Sequence, residues 1–193
     1  MKIQNSYNLN FGAKFVQKTA ISKLENGNTS EEAASIVELL SNDKNDIKSF
    51  EKTVKGWQKG DEFGLCIFDD LEDIRDKKMS KDVYKVYALT TQSDNFEKLD
   101  SSKILGASTL KLVNEKENHI RFLQVSPKCY FENKQRGYKS IGKAFIDFFK
   151  SQSKNKSLLV QAYFSAANFY EKMGFEIIDV NNLIYSWSKL IKK

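Results

Sequence analysis

Three runs of alternating apolar residues in the middle of the chain constrain its fold more than any other feature. Residues 83–91, 104–113 and 119–125 each place apolar side chains at a spacing of two, the period of a strand. The segments between them, residues 93–103 and 114–118, are polar and charged and read as turns. Strands joined this way form an antiparallel meander, because a parallel pair would need a crossover of a dozen or more residues. Helices must then supply the other side of the core.

The flanking segments provide them. Phe11, Phe15, Thr19 and Ile21 follow a loose alternation that predicts a strand within residues 1–28. Thr29 and Glu32 have capping-box spacing, and Ala33, Ile36, Val37 and Leu40 fall at i, i+3, i+4 and i+7, predicting a helix. Ile47, Phe50, Val54 and Trp57 predict a second helix ending near Gly60. Phe63, Leu65 and Ile67 return to a spacing of two and predict a short strand, with residues 69–82 as a solvated loop or short helix. After Pro127, the residues Ile141, Phe145, Phe148 and Phe149 share one helical face. Residues 157–163 read as a buried strand, and 166–173 as a helix stopped by Gly174, where a left-handed residue is wanted. Two strands, 175–180 and 183–190, finish the chain.

Composition excludes several classes. At 193 residues one domain spanning the whole chain is expected. No apolar run approaches the ~18 residues of a membrane helix, and the first ten residues lack the ~7-residue apolar stretch of a signal peptide. A cytoplasmic protein with no membrane partner is therefore expected, as a monomer or homodimer. Cys66 and Cys129 lie far apart, and with His119 the only histidine no set of metal ligands is recognisable. No G-x-S-x-G nucleophile elbow occurs. The net charge of +6 is spread along the chain with neither a basic stripe nor an aromatic RNA-binding motif, so no nucleic-acid partner is expected.

Two segments carry chemistry. The first runs from Leu123-Gln124-Val125 past Pro127 to Arg136-Gly137-Tyr138-Lys139-Ser140-Ile141-Gly142-Lys143-Ala144. A pyrophosphate can be held by backbone N–H groups at a helix start if no bulky side chain blocks the approach, and Gly137 and Gly142 leave room. Arg136, Lys139 and Lys143 add charge. The same stretch reads G-x-x-x-x-G-K-A, one residue from a phosphate-binding P-loop. Alanine cannot ligate magnesium, however, and the first glycine lies well past the end of its strand, so nucleotide hydrolysis is set aside. The second segment is Ala166-Ala167-Asn168-Phe169-Tyr170-Glu171-Lys172-Met173-Gly174-Phe175.

Together these segments resemble the motifs of the GCN5-related N-acetyltransferases (GNAT), which end a strand with L-x-V, turn through a basic glycine-containing loop, and later carry N-x-x-A-x-x-F/L-Y-E-K-x-G-F. The resemblance implies an α/β fold: a mixed, mostly antiparallel sheet of six to seven strands with helices on both faces. It implies acetyl-CoA as acyl donor, with no metal, and direct attack by a primary amine of a small molecule, a peptide N-terminus or a lysine. Tyr170 would be the general acid. Gln124, Val125, Arg136, Gly137, Tyr138, Lys139, Ser140, Ile141, Gly142, Lys143, Tyr163 and Ala166 would bind the donor. The chain departs from the pattern at Ser140, where the family has glycine, at Gly137, where it has Gln or Arg, and at Tyr163, where it has asparagine. These departures motivate an alternative, a silent acyl-CoA-binding or partner-recruiting module. His119, read as sharing a strand face with Arg121, Leu123 and Val125, is a weak candidate base, and the base is left unassigned. The acceptor is expected over the N-terminal helices, near the acidic residues of 69–82.

Overall fold

A computed structural model describes residues 12–57, 63–130, 137–153 and 155–188. The chain opens with a long hairpin, β1 (Lys14–Glu25) and β2 (Asn28–Glu38). Asn26 and Gly27 take φ of 51° and 79° at its tip, the two left-handed residues that a tight hairpin of matching twist requires. The β1 expectation holds from Phe15 to Ile21, while Phe11 lies outside the described residues. The predicted helix after Thr29 is instead β2. Its Ala34, Ser35, Ile36 and Val37 are all buried because both sheet faces are covered, Ala34 and Ile36 packing to one side and Val37 to the other. A continuous buried run contains helical spacings by accident.

Helix α1 (Lys44–Trp57) forms as expected, with Phe50, Val54 and Trp57 buried. Asp43 caps it, its Oδ1 accepting from the amides of Asn45 at 2.7 Å and Asp46 at 3.1 Å. Phe63–Arg75 is one helix, α2, so the strand expected at Phe63, Leu65 and Ile67 is absent and the short helix allowed for residues 69–82 is the second half of α2, as far as Arg75. Gly64, Ile67, Leu71 and Ile74 are its buried face, at helical spacing, whereas Leu65 points outward. The spacing of two at Phe63, Leu65 and Ile67 was read over too short a window to see this.

The meander is present as β3 (Tyr84–Thr90), β4 (Ile104–Leu112) and β5 (Glu117–Val125), each antiparallel to the next. A two-residue strand, β6 (Tyr138–Lys139), precedes α3 (Ile141–Gln152), and β7 (Ser157–Gln161) follows. A 3-10 turn at Phe164–Ala166 leads into the short helix α4 (Ala167–Lys172), ended by Gly174 at φ 78°. β8 (Glu176–Asp179) and β9 (Ile184–Trp187) complete one sheet in the order β6-β1-β2-β3-β4-β5-β7-β9-β8. It has nine strands rather than six to seven, the additions at the β1 edge being β2 and β6. Every neighbouring pair is antiparallel except β5 and β7.

Each face of the sheet has its own core. On one, Phe145, Ile146, Phe148 and Phe149 of α3 meet Leu110, Ile120 and Leu158. On the other, Phe50, Val54, Ile67 and Leu71 of α1 and α2 meet Val86, Ala88 and Ala107. Each fully buried side chain of this size contributes about 1.5–3 kcal/mol, so the two helical layers are held chiefly by apolar burial. Among the described residues no helix is long and apolar enough to cross a membrane.

Candidate active site

The site begins with a fault in the β4–β5 ladder. Leu110 pairs with Ile120 but Thr109 pairs with Phe122, so Arg121 has no opposite number and β5 bulges there. The bulge reverses the pleat. Ile120 packs toward α3, Phe122 toward α1 and α2, and Leu123 and Val125 toward α3 again. His119 therefore does not share a face with Leu123 and Val125, as simple alternation had it. It stands 3.3 Å from Glu117 and lines a groove with Lys111 and Gln161, not the cavity at Tyr170.

Just beyond the bulge the sheet opens. β5 and β7 are parallel partners only from Glu117 opposite Ser157 to Ile120 opposite Val160. From there β7 ends at Gln161 and turns into the 3-10 segment, while β5 runs on to Val125 with β4 as its partner on the other side. The β7-facing edge of β5 past Ile120 is thus left without a strand partner. A cleft of about 470 Å³ occupies the gap. Leu123, Gln124 and Val125 form one wall, Tyr163, Ala166 and Phe169 the other, and Lys139, Ser140, Ile141 and Gly142 close one end.

That closed end is the start of α3. Ser140 precedes the helix in the left-handed region, φ 70° and ψ 11°, with no side-chain cap. Its carbonyl accepts from Ala144 N at 3.0 Å, so the amides of Ile141, Gly142 and Lys143 belong to the first turn, where no intrahelical acceptor exists. A Cβ on Gly142 would come within 3.1 Å of Phe169 Cζ, so this glycine lets α4 approach α3. Gly137 has neither a positive φ nor any atom within 4 Å of a Cβ built on it, and nothing in the structure requires glycine there. Its carbonyl accepts from Leu24 N at 2.8 Å, and Tyr138 and Lys139 pair with Lys23 and Ser22 of β1. Lys143 is ion-paired with Asp147 on the exposed side of α3. Gly137, Tyr138 and Lys143 do not line the cleft, and Arg136 lies outside the described residues.

Gln124 is buried in the cleft wall. Its Nε2 donates to the Val125 carbonyl at 2.8 Å and to the Tyr130 hydroxyl, leaving its Oε1 buried without a partner among the described residues. Tyr163 is 65% exposed and its ring lies tilted 5.1 Å from Phe63, which in turn lies 5.6 Å from Phe122. Phe63 was missed as a site residue because the start of α2 was read as a strand. Cys129, which is buried, also lines the cleft.

Tyr170 sits on α4 among Phe169, Phe175 and Tyr185 and is 6% exposed. It borders a small cavity of about 70 Å³ that shares Phe63, Leu123, Tyr163 and Ala166 with the larger cleft. The ring is therefore enclosed by packing, and four of the residues around its cavity also line the cleft that ends at the start of α3. Burial pushes its phenol up to about 12, and burial likewise pushes the Cys129 thiol, in the wall of the same cleft, to about 11.

The acidic residues of 69–82 do not face these openings. Glu72, Asp73 and Asp76 pair with Arg75 and Lys78 on the surface, and Asp70 is buried against Arg121. No group of His, Cys, Asp and Glu suited to a metal ion occurs among the described residues.

This mixed sheet, parted where β5 and β7 run parallel, has the fold of the GCN5-related N-acetyltransferases. Among the solved structures that share it are these three. AtaT, in complex with acetyl-methionyl-tRNAfMet, is 15% identical with a TM-score of 0.51, the match covering 80% of this chain and 94% of AtaT. An acetyltransferase from Streptococcus agalactiae 2603 is 18% identical with a TM-score of 0.51, covering 79% and 96%. A Desulfovibrio desulfuricans protein assigned to the GNAT family is 12% identical with a TM-score of 0.50, covering 80% and 98%. No family model and no curated protein matches the sequence.

Proposed function

We propose that the protein is an acyl-CoA-dependent N-acyltransferase that passes an acetyl group from acetyl-CoA to a primary amine in a ternary complex. The observation that carries this reading is the cleft that runs from the first turn of α3 along the unpaired edge of β5 and shares Phe63, Leu123, Tyr163 and Ala166 with the small cavity at Tyr170. Each part suits one portion of the donor. The amides of Ile141 and Gly142, at the closed end of the cleft, present N–H groups and the positive end of the α3 dipole to a diphosphate. The edge of β5 beside Gln124 and Val125 offers main-chain partners to an extended amide-bearing arm, as in strand addition, and the unpartnered Gln124 Oε1 is an acceptor for one of its N–H groups.

At the reacting end, β5 amides beyond the bulge can donate to the thioester oxygen as it gains charge in the tetrahedral intermediate. The neutral amine attacks the carbonyl carbon; as the C–S bond breaks, the sulfur takes the electron pair and Tyr170 supplies its proton. No enzyme nucleophile enters. The proton lost by the amine leaves through solvent, since no described side chain is placed to receive it.

The test is thiol release from acetyl-CoA over a panel of amines, beside CoA binding by calorimetry. Turnover should fall by about 10²- to 10³-fold in Tyr170→Phe with CoA affinity retained. Failure to bind CoA would end the proposal. Saturable CoA binding with no transfer to any amine would instead favour a silent acyl-CoA-binding module.

A further inference from the structure

The cavity at Tyr170 also borders a second opening. It shares Arg121, Phe122, Gln161 and Ala162 with a hollow of about 600 Å³ that is separate from the CoA cleft except at Phe63 and Tyr163. If the cleft at α3 takes the donor, this hollow is where an acceptor reaches the same reacting point. Its walls are aromatic, with Phe63, Phe122, Tyr163 and Phe164, the last 84% exposed. A neighbouring groove of about 380 Å³, which shares Arg121, Phe122 and Gln161, adds Lys111 and His119. Among the described residues that line the two, there are two permanent cations and a histidine but no carboxylate.

Arg121 is held ready rather than used up. It is the bulged residue of β5, and its Nε donates to both oxygens of Asp70, at 3.1 and 3.2 Å. The Asp70 side chain is only 4% exposed, so the contact fixes the guanidinium from beneath. Its Cζ lies 5.0 Å over the Phe122 ring, which fixes the plane. The terminal nitrogens have no hydrogen-bond partner among the described residues, and the side chain is 45% exposed toward the hollow. A buried carboxylate needing only a counter-charge does not require its partner to present two free N–H forks to a cavity. An oriented guanidinium with one edge anchored and the other open is the geometry that receives a planar or tetrahedral oxyanion.

We infer, resting on the acyltransferase reading, that the acyl acceptor is an amine that also carries an anionic group, a carboxylate or a phosphate, and that Arg121 receives that group. Asp70 is then a positioning residue for Arg121. This departs from the sequence expectation of an acceptor near the acidic residues of 69–82, of which Glu72, Asp73 and Asp76 are ion-paired on the surface and Asp70 is buried against Arg121.

The experiment compares matched amines at saturating acetyl-CoA: phenylalanine against phenylalaninamide for a carboxylate, and phosphoethanolamine against ethanolamine for a phosphate. The acidic member of one pair should have the higher kcat/KM by about tenfold or more, and Arg121→Gln should collapse that ratio chiefly through KM. Arg121→Lys should recover part of it. Equal use of both members, preference for the neutral ones, or an Arg121→Gln variant that binds CoA normally and lowers both members equally would overturn the inference while leaving the acyltransferase intact. If CoA binds but no amine in the panel reacts, calorimetry of N-acetylphenylalanine and N-acetylphosphoethanolamine against the CoA complex decides. Binding of one that is lost in Arg121→Gln supports the inference, and no Arg121-dependent binding refutes it. Absence of CoA binding removes the acyltransferase reading and this inference with it.

Discussion

Protonation of the leaving sulfur is the step that most tests a single side chain. A phenol pushed up to about 12 would be a poor donor to a thiolate in water, whose conjugate acid sits near ~8.5, a mismatch of several kcal/mol. Burial in the wall of the neighbouring cleft pushes the Cys129 thiol up to about 11, the direction in which an enclosed thiol approaches the phenol. The apolar packing that buries Tyr170 also keeps it protonated throughout the physiological range. At the same scale Ser140 holds a left-handed conformation that costs a non-glycine residue about 1–2 kcal/mol, against roughly 0.5–1 kcal/mol of extra chain entropy for glycine. Ser140→Gly should therefore raise stability in urea unfolding by about 0.5–1 kcal/mol, and Ser140→Val should lower it. A stabilised valine variant would show that the φ of 70° is not enforced in solution.

The elements that build the site were partly legible before the fold was known. Alternation in 83–91, 104–113 and 119–125 gave the meander, and the 166–175 segment gave α4, its stop at Gly174 and its tyrosine. Two elements were misread for physical reasons. β2 is covered on both faces, so its buried run carries no alternation, and the informative signal was the Asn26-Gly27 pair at the hairpin tip. α2 was obscured by a chance spacing of two at its first turn, although Gly64, Ile67, Leu71 and Ile74 held the helical period. The bulge at Arg121 leaves no mark in sequence, since it arises from how β4 and β5 register, and it decides which side chains face each opening. Gly27 at φ 79° has open space around it, so only backbone strain opposes a side chain there. Gly27→Val should lower the thermal midpoint by several degrees, from a cost of about 1–2 kcal/mol, with CoA affinity unchanged. A midpoint equal to that of the parent would mean the hairpin does not contribute to global stability.

For the molecule as a whole, a buried carboxylate away from the site carries its own cost. Asp46, at the start of α1, is fully buried; its Oδ2 accepts from Leu40 N at 2.8 Å while its Oδ1 has no partner among the described residues. Burial raises its pKa from 3.8 to about 7, only partly countered by the Leu40 amide. Between those values the folded state holds a proton that the unfolded state has released, so stability falls as pH rises from about 4 to about 7 and stays reduced above. Asp46→Asn should accordingly raise the thermal midpoint by a few degrees at pH 8 and leave it nearly unchanged at pH 4; the reverse ordering would mean that the carboxylate is ionised and stabilising. The fold as a class was legible from the motif segments, but the shape of the acceptor opening was not, because it is assembled from α2, the bulge of β5 and the residues after β7, three places with no common pattern in sequence.

The most direct measurement of the central claim is a crystal structure with CoA bound. The account predicts the diphosphate on the amides of Ile141 and Gly142, the arm along β5 beside Gln124 and Val125, and the sulfur within hydrogen-bonding reach of the Tyr170 hydroxyl. A CoA molecule seated elsewhere, or one whose sulfur points away from Tyr170 with the small cavity closed, would contradict it.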